Sequence, residues 1–136
     1  MAEEQVLRIP AEIGRMDEVL KFVSTLLDDY GCEPQVRTQL RMAIEELYVN
    51  IAHYAYPSGD GWAEIRGSFE DGVVTLRLID GGTPYDPLAK PDPDILLSGE
   101  ERPIGGLGIY MVKSMVDEMK YVYSDGCNRL ILRKKL

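Results

Sequence analysis

The feature that most constrains the fold is a pair of neighbouring segments with strand character, 62–69 and 73–79, which flank the dipeptide Asp71-Gly72. An Asp-Gly pair between two such segments is typical of a tight hairpin turn. Along the second segment apolar and polar side chains alternate, in the order Val74, Thr75, Leu76, Arg77 and Leu78. One face of the hairpin is therefore apolar and the other polar, which predicts an antiparallel sheet covered by helices on one side only.

Two helices are predicted ahead of this hairpin, after a short strand at 5–9. Apolar residues recur at three- and four-residue steps over 13–27, and Gly31 is a typical residue to end that helix. Pro34 suits the first turn of a second helix, whose apolar face continues to Tyr54. These helices supply the layer that the apolar face of the sheet requires.

The rest of the chain is predicted as a long loop, a third helix and a second hairpin. Segment 83–105 contains five prolines and little periodicity, which predicts a loop with one helical turn at Ile95 to Leu97. A helical pattern resumes over 105–120, and strands at 121–123 and 128–133 form the last hairpin. This order of elements predicts an α+β two-layer sandwich with a mixed, mostly antiparallel sheet.

Length and charge narrow the class of protein. We expect residues 1–136 to form a single domain, because this length supports one hydrophobic core. The net charge of -8 argues against direct nucleic-acid binding, which requires clustered Lys and Arg. Cys32 and Cys127 stand far apart and form neither a disulfide framework nor a zinc pattern. The sequence contains no signal segment and no membrane-spanning run, so we expect a cytoplasmic protein that does not bind a membrane.

The second predicted helix carries Glu46 and Asn50 four residues apart, hence on one stripe at the edge of its apolar face. An Asn side chain offers a neutral oxygen to Mg²⁺, and a Glu can orient or deprotonate an attacking hydroxyl. This pair suits phosphoryl transfer. The same spacing is also common on a solvated helix edge.

The sequence Asp80-Gly81-Gly82-Thr83-Pro84 follows directly on a predicted strand. A carboxylate beside glycines, which let a ligand approach the backbone, can accept a hydrogen bond from the exocyclic amine of adenine. An ordinary turn at the end of a strand accounts for the same residues equally well.

The run Gly105-Gly106-Leu107-Gly108 opens the third predicted helix. Backbone N–H groups at a helix start, without side chains in the way, suit phosphate oxygens. A Rossmann fingerprint requires a preceding βαβ unit and a Walker motif requires a terminal Gly-Lys-Ser/Thr, and neither pattern is present.

Three other polar residues are weaker candidates. His53 is the only histidine, so it cannot build a metal cluster and is interpreted as a structural residue. Lys113 and Arg102 either reach a phosphate or are simply solvated. The sequence leaves their roles open.

The three glycine and polar motifs resemble, in their order, the boxes of one superfamily. Glu46-Leu47-Tyr48-Val49-Asn50 is similar to the N box of the GHKL (Bergerat-fold) ATPases, the run from Asp80 to Pro87 is similar to the G1 box, and Gly106-Leu107-Gly108-Ile109 is similar to the G2 box. The resemblance covers essentially the whole chain and is closest to the stand-alone, RsbW-like bacterial anti-sigma-factor serine kinases.

The resemblance implies a function and a set of roles. It implies transfer of the ATP γ-phosphate to a serine or threonine of a STAS-domain antagonist, alternating with binding of a sigma factor, in a homodimer. By resemblance, Glu46 is the catalytic carboxylate, Asn50 ligates Mg²⁺ and Asp80 recognises adenine. Residues implied in shaping the nucleotide loops are Gly82, Gly105, Gly106, Leu107 and Gly108, and about 85–105 becomes the ATP lid.

Other functions remain open at this point. A sensor histidine kinase needs an acceptor histidine on a dimerising helix, and the first 40 residues have none. Pro103-Ile104 stand where a basic residue near the γ-phosphate is expected, so Arg102 is a candidate substitute. The alternatives are a nucleotide-gated module that sequesters a sigma factor without kinase activity, and a slow ATPase without a protein substrate.

Overall fold

The computed structural model of the protein describes residues 3–89 and 106–136. Its helices are α1 (Met16–Asp29), α2 (Pro34–Asn50) and α3 (Gly106–Met115), and its strands are β1 (Gln5–Pro10), β2 (Trp62–Glu70), β3 (Val73–Asp80), β4 (Glu118–Ser124) and β5 (Cys127–Lys135). The predicted order of helices and strands is confirmed. The helical turn predicted at Ile95 to Leu97, and the lid beyond residue 89, lie outside the described residues.

The five strands form one sheet in the order β1-β2-β3-β5-β4. All four neighbouring pairs are antiparallel. The predicted α+β two-layer architecture is confirmed, and the sheet that we expected to be mixed is antiparallel at every pairing made by the described residues.

Both hairpin turns follow from their Asp-Gly pairs. Asp71 and Gly72 have φ angles of 52° and 76°, and Asp125 and Gly126 have φ angles of 54° and 74°. Two consecutive residues with positive φ are the signature of a type I′ turn, whose twist matches that of the flanking strands. These turns fix the registers of β2 with β3 and of β4 with β5.

The hydrophobic core lies between the helices and one face of the sheet. On β3 the inward residues are those of the predicted apolar face, with Val74, Leu76 and Leu78 at most 2% exposed. The core continues into all three helices through Val19, Val23, Leu27, Leu40, Ala43, Ile44, Leu47, Ile109 and Val112. The opposite face of the sheet is polar, with Arg66 paired to Glu64 at 2.8 Å.

Helix α2 is anchored to the start of the chain by Tyr48, which is fully buried. Its hydroxyl donates to the Glu12 carbonyl oxygen at 2.6 Å and accepts from the Glu12 N–H at 3.2 Å. These two hydrogen bonds tie the middle of α2 to the segment that follows β1. Tyr48, inside the predicted N box, is therefore a structural residue that holds in place the part of α2 carrying Glu46 and Asn50.

The largest differences from the predicted boundaries are at the ends of two helices. The helix predicted over 105–120 ends at Met115, because the next residues pair with β5: the Asp117 N–H donates to the Arg133 carbonyl oxygen at 2.9 Å and β4 begins at Glu118. Helix α2 ends at Asn50 and continues as a π-helical turn over Ile51–Ala55. None of the helices in the described ranges is long and apolar enough to cross a membrane.

Candidate functional site

Asp80 is the last residue of β3 and faces the helices. It lies in register between Ala63 on β2 and Asn128 on β5, on the same face as the core residues of those strands. Only 4% of Asp80 is exposed. Its Oδ1 atom accepts hydrogen bonds from the Gly82 N–H and from Asn128 Nδ2, each at 2.9 Å. Burial raises the pKa of Asp80, and the hydrogen bonds from Asn128 and Gly82 act in the opposite direction.

The loop after Asp80 is pressed against the π-helical turn that follows α2. A Cβ atom on Gly82 would lie 2.2 Å from the Ala55 carbonyl oxygen, so no larger residue fits without movement of the backbone. The same carbonyl accepts from the Thr83 N–H at 2.8 Å. Nearby, the Gly81 N–H donates to Tyr56 Oη at 2.7 Å. The predicted G1 box is therefore packed directly on the end of the helix that carries the predicted N box.

Asn50 and Asp80 line one open cavity between the end of α2 and the ends of β3 and β5. Its walls are largely apolar and include Leu47, Leu78 and Leu130. Since Asp80 Oδ1 takes both of the hydrogen bonds made within the described residues, Oδ2 is the oxygen left for a ligand. A flat apolar group with a hydrogen-bond donor at its edge suits this cavity.

Glu46 lies one helical turn before Asn50 and faces the start of α3. A Cβ atom on Gly108 would come within 2.1 Å of Glu46 Oε1, so the carboxylate rests against the backbone of that glycine. Glu46 and Gly108 line a second groove, together with Met42, Val49 and Met111. The structure thus brings Glu46 of the predicted N box against Gly108 of the predicted G2 box, one helical turn before Asn50.

The remaining candidates are placed as follows. Gly106 and Leu107 belong to the first turn of α3, whereas Gly105 and Arg102 lie outside the described residues. Lys113 is exposed on α3. His53 is exposed in the π-helical turn, where its ring packs edge-on against Tyr54 with centroids 6.1 Å apart. Within the described ranges no group of three or more His, Cys, Asp or Glu side chains is arranged to hold a metal ion.

Asn128 is 6% exposed and lines the same cavity, although it was not among the site residues predicted from the sequence. Its amide contacts Asp80, Thr83, Tyr85 and Tyr121. A signal was present, because Asn128 occupies the inward position of β5 two residues before Leu130, where an apolar residue is expected. Its proximity to Asp80 depends on strand register, which neither local sequence contains.

Residues 9–134 match the family model of the histidine kinase-like ATPase domain. The chain belongs to this family, and it is an ATP-binding domain of the kinase type.

Individual relatives narrow the resemblance. The serine-protein kinase RsbW of Listeria monocytogenes serovar 1/2a (strain ATCC BAA-679 / EGD-e) is 23% identical over 136 residues, which cover 93% of this chain and 83% of that protein. The serine-protein kinase RsbW of Bacillus cereus (strain Q1) is 28% identical over 136 residues, which cover 96% of this chain and 84% of that protein. The predicted kinship with RsbW-like GHKL proteins is confirmed.

A solved structure supports the fold. The RsbU and RsbW domains of Rv1364c from Mycobacterium tuberculosis match with a TM-score of 0.66 at 20% identity, covering 97% of this chain and 32% of that chain. This chain therefore spans about a third of the solved chain. At this identity the likeness concerns the fold alone.

Proposed function

We propose that this protein is a cytoplasmic serine/threonine-protein kinase and anti-sigma factor. It transfers the γ-phosphoryl group of ATP to a STAS-domain antagonist and alternately binds a sigma factor, as a homodimer. The observation that carries the proposal is the adjacency of two sites: a cavity with Asp80 and Asn50 on its wall, and the contact of Glu46 with Gly108 one helical turn away.

Recognition of adenine falls to Asp80 in this proposal. The apolar cavity wall packs on the faces of the base, and Oδ2 of Asp80 accepts a hydrogen bond from the exocyclic amine. Guanine presents a carbonyl oxygen at that position, which would face a carboxylate without a proton between them. The site therefore selects adenine nucleotides over guanine nucleotides.

Phosphate binding is assigned to the residues between the cavity and α3. Gly82, Gly105, Gly106, Leu107 and Gly108 shape the nucleotide loops, and free N–H groups at the start of α3 donate to phosphate oxygens. Mg²⁺ usually takes one or two protein oxygens beside phosphates and water, so the Asn50 amide oxygen is a sufficient protein ligand. Bound there, the ion would neutralise charge on the phosphates.

Glu46 is proposed as the catalytic carboxylate. Its side chain lies on the same stripe of α2 as Asn50 and against the start of α3. From that position it accepts a hydrogen bond from the hydroxyl of the acceptor serine and orients it towards the γ-phosphate. Phosphoryl transfer depends mainly on such positioning and on charge neutralisation.

The first test is calorimetric titration of ATP and ADP with Mg²⁺ into the wild type, Asp80→Asn and Asn50→Ala. We expect saturable binding that Asp80→Asn weakens strongly, while Asn50→Ala weakens only the Mg²⁺-dependent part. Absence of nucleotide binding by folded wild-type protein would contradict the proposal.

Kinase activity needs a second test, with radiolabelled ATP and a STAS-domain protein encoded next to this one. Glu46→Gln should lose phosphoryl transfer while retaining ATP binding. Glu33→Gln is the matched control, because Glu33 is an exposed carboxylate at the opposite end of α2 and lines neither the cavity at Asp80 nor the groove at Glu46. If the wild type binds ATP but phosphorylates no such protein, and instead binds a sigma factor in a nucleotide-dependent way, the nucleotide-gated binding module is the correct function. Phosphate release without any partner would identify a slow ATPase.

A further inference from the structure

The Asn128 amide uses its full hydrogen-bonding capacity inside the core. Its two N–H groups donate to Asp80 Oδ1 at 2.9 Å and to the Thr83 carbonyl oxygen at 2.8 Å. Its oxygen accepts from the Tyr85 N–H at 3.0 Å and from the Tyr121 hydroxyl. An Asn side chain offers two donors and two lone pairs, so no capacity is left over for a ligand.

Only one orientation of this amide satisfies its neighbours. The Asp80 carboxylate and the Thr83 carbonyl are acceptors, whereas the Tyr85 N–H is a donor. If the amide were flipped, its N–H groups would face the Tyr85 N–H and its oxygen would face two acceptors. The strand β5 therefore presents one fixed donor to Asp80 at the end of β3, and a second donor and an acceptor to the loop that follows.

We infer that Asn128 is a positioning residue for nucleotide binding, which turns Asp80 so that Oδ2 points to the ligand and fixes the backbone of residues 83–85 at the mouth of the cavity. This inference rests on the proposed function, because it gives Asp80 the role of adenine acceptor. Asn128 itself has no hydrogen bond left to offer the ligand, since its two donors and both lone pairs are used within the protein.

The hydrogen bond from Asn128 Nδ2 to Asp80 Oδ1 favours the ionised form of Asp80. The titratable groups that face Asp80 among the described residues are the Tyr56 and Tyr121 hydroxyls, and burial raises the pKa of both, so they stay neutral at physiological pH. The hydrogen bonds from Asn128 and the Gly82 N–H are what oppose the burial of the carboxylate. Removing the Asn128 donor leaves the Gly82 N–H alone, and protonation of Asp80 then begins at a higher pH.

The test measures ATP affinity by calorimetry from pH 5.5 to 9 for the wild type, Asn128→Ala and the isosteric Asn128→Asp. We expect affinity at pH 7 to fall about tenfold or more for Asn128→Ala, since a hydrogen bond to a charged group is lost. The pH below which binding is lost should move upwards, and further for Asn128→Asp, where two carboxylates adjoin. Tyr121→Phe is the control: it removes one bond to Asn128 but leaves the donor to Asp80, so its pH midpoint should match the wild type.

If Asn128 only held β3 and β5 together, the measurements would give another result. Affinity would then fall by the same factor at every pH, with an unchanged midpoint, and the inference would be wrong. Carbon-13 NMR titration of the Asp80 carboxyl provides a readout without nucleotide, in which the Asp80 pKa should rise from wild type to Asn128→Ala. If Asn128→Ala does not fold, the isosteric variant carries both measurements. Wild-type protein that binds no ATP would contradict the proposed function itself, whereas ATP binding with an unchanged midpoint would contradict only the role of Asn128.

Discussion

Asp80→Asn separates what Asp80 does for the fold from what it does for the ligand. The side chain is 4% exposed, and its Oδ1 atom accepts two hydrogen bonds of 2.9 Å. An asparagine oxygen at the same position accepts both of these bonds, while the buried negative charge disappears. The variant should therefore fold as the wild type does.

The pH dependence of stability gives the sign of this effect. Because burial raises the pKa of Asp80 in the folded state, the unfolded chain loses this proton first as the pH rises. Between the two pKa values the folded state binds more protons, so the free energy of unfolding falls as the pH rises. Each unit of difference lowers it by about 1.4 kcal/mol once both states are ionised. At pH 8, Asp80→Asn should thus be at least as stable as the wild type, and this part of the pH dependence should be absent.

The ATP affinity of Asp80→Asn should fall, although its stability does not. With the asparagine oxygen held at the Oδ1 position, its nitrogen takes the place of Oδ2 and presents N–H groups to the adenine amine. A hydrogen bond to a charged group contributes about 1.5–3 kcal/mol. The variant should therefore bind ATP about 10- to 150-fold more weakly.

Urea unfolding between pH 5 and 8, with calorimetric titration of ATP at pH 8, measures both effects on one preparation. Asp71→Asn is the matched control, since it makes the same chemical change in the β2–β3 hairpin turn, at the opposite end of β3 from Asp80, where asparagine tolerates the φ of 52°. Loss of more than about 2 kcal/mol of stability at pH 8 would refute the argument from burial. Unchanged ATP affinity would refute the role of Asp80 in adenine recognition.

Three glycine substitutions test the packing around the site. Gly82→Ala places a methyl group 2.2 Å from the Ala55 carbonyl oxygen. Because backbone must move, it should cost about 1–3 kcal/mol in urea unfolding and weaken ATP binding. Gly108→Ala instead meets the flexible end of Glu46, so stability should stay within about 1 kcal/mol of wild type. Phosphoryl transfer, measured with labelled ATP, should fall because the carboxylate is displaced. Gly72→Ala forces a Cβ into a backbone with φ of 76° and should cost about 1–2 kcal/mol with ATP affinity unchanged. A loss of ATP affinity there would show that the β2–β3 turn influences the site.

Much of the architecture was predictable from local patterns. The alternation along β3 identified the buried face, and the Asp-Gly pairs indicated the two hairpin turns, which the φ angles show to be of type I′. The four-residue spacing of Glu46 and Asn50 placed them on one stripe of α2, as found. Each of these predictions depends on residues that are neighbours in sequence, within the reach of a single turn or a single helical repeat.

Local patterns failed where residues distant in sequence compete for the same backbone. The apolar spacing through Val112, Val116 and Met119 fits a helix, yet Met119 pairs with Leu132 in the sheet. The hydrogen bonds of that strand pair, together with burial of the inward side chains, outweigh the helical preference of a few residues. Helix α3 therefore ends at Met115.

The sequence by itself determined the elements, their order and the chemical groups of the candidate site: an amide and a carboxylate on one helix, a carboxylate after a strand, and glycines at a helix start. Only the tertiary structure decided which of these groups meet. Asp80 and Asn128 are 48 positions apart and become partners because the antiparallel register of β3 with β5 sets them opposite each other. Such a register is fixed by packing of a whole sheet face against the helices, and no local segment carries that information.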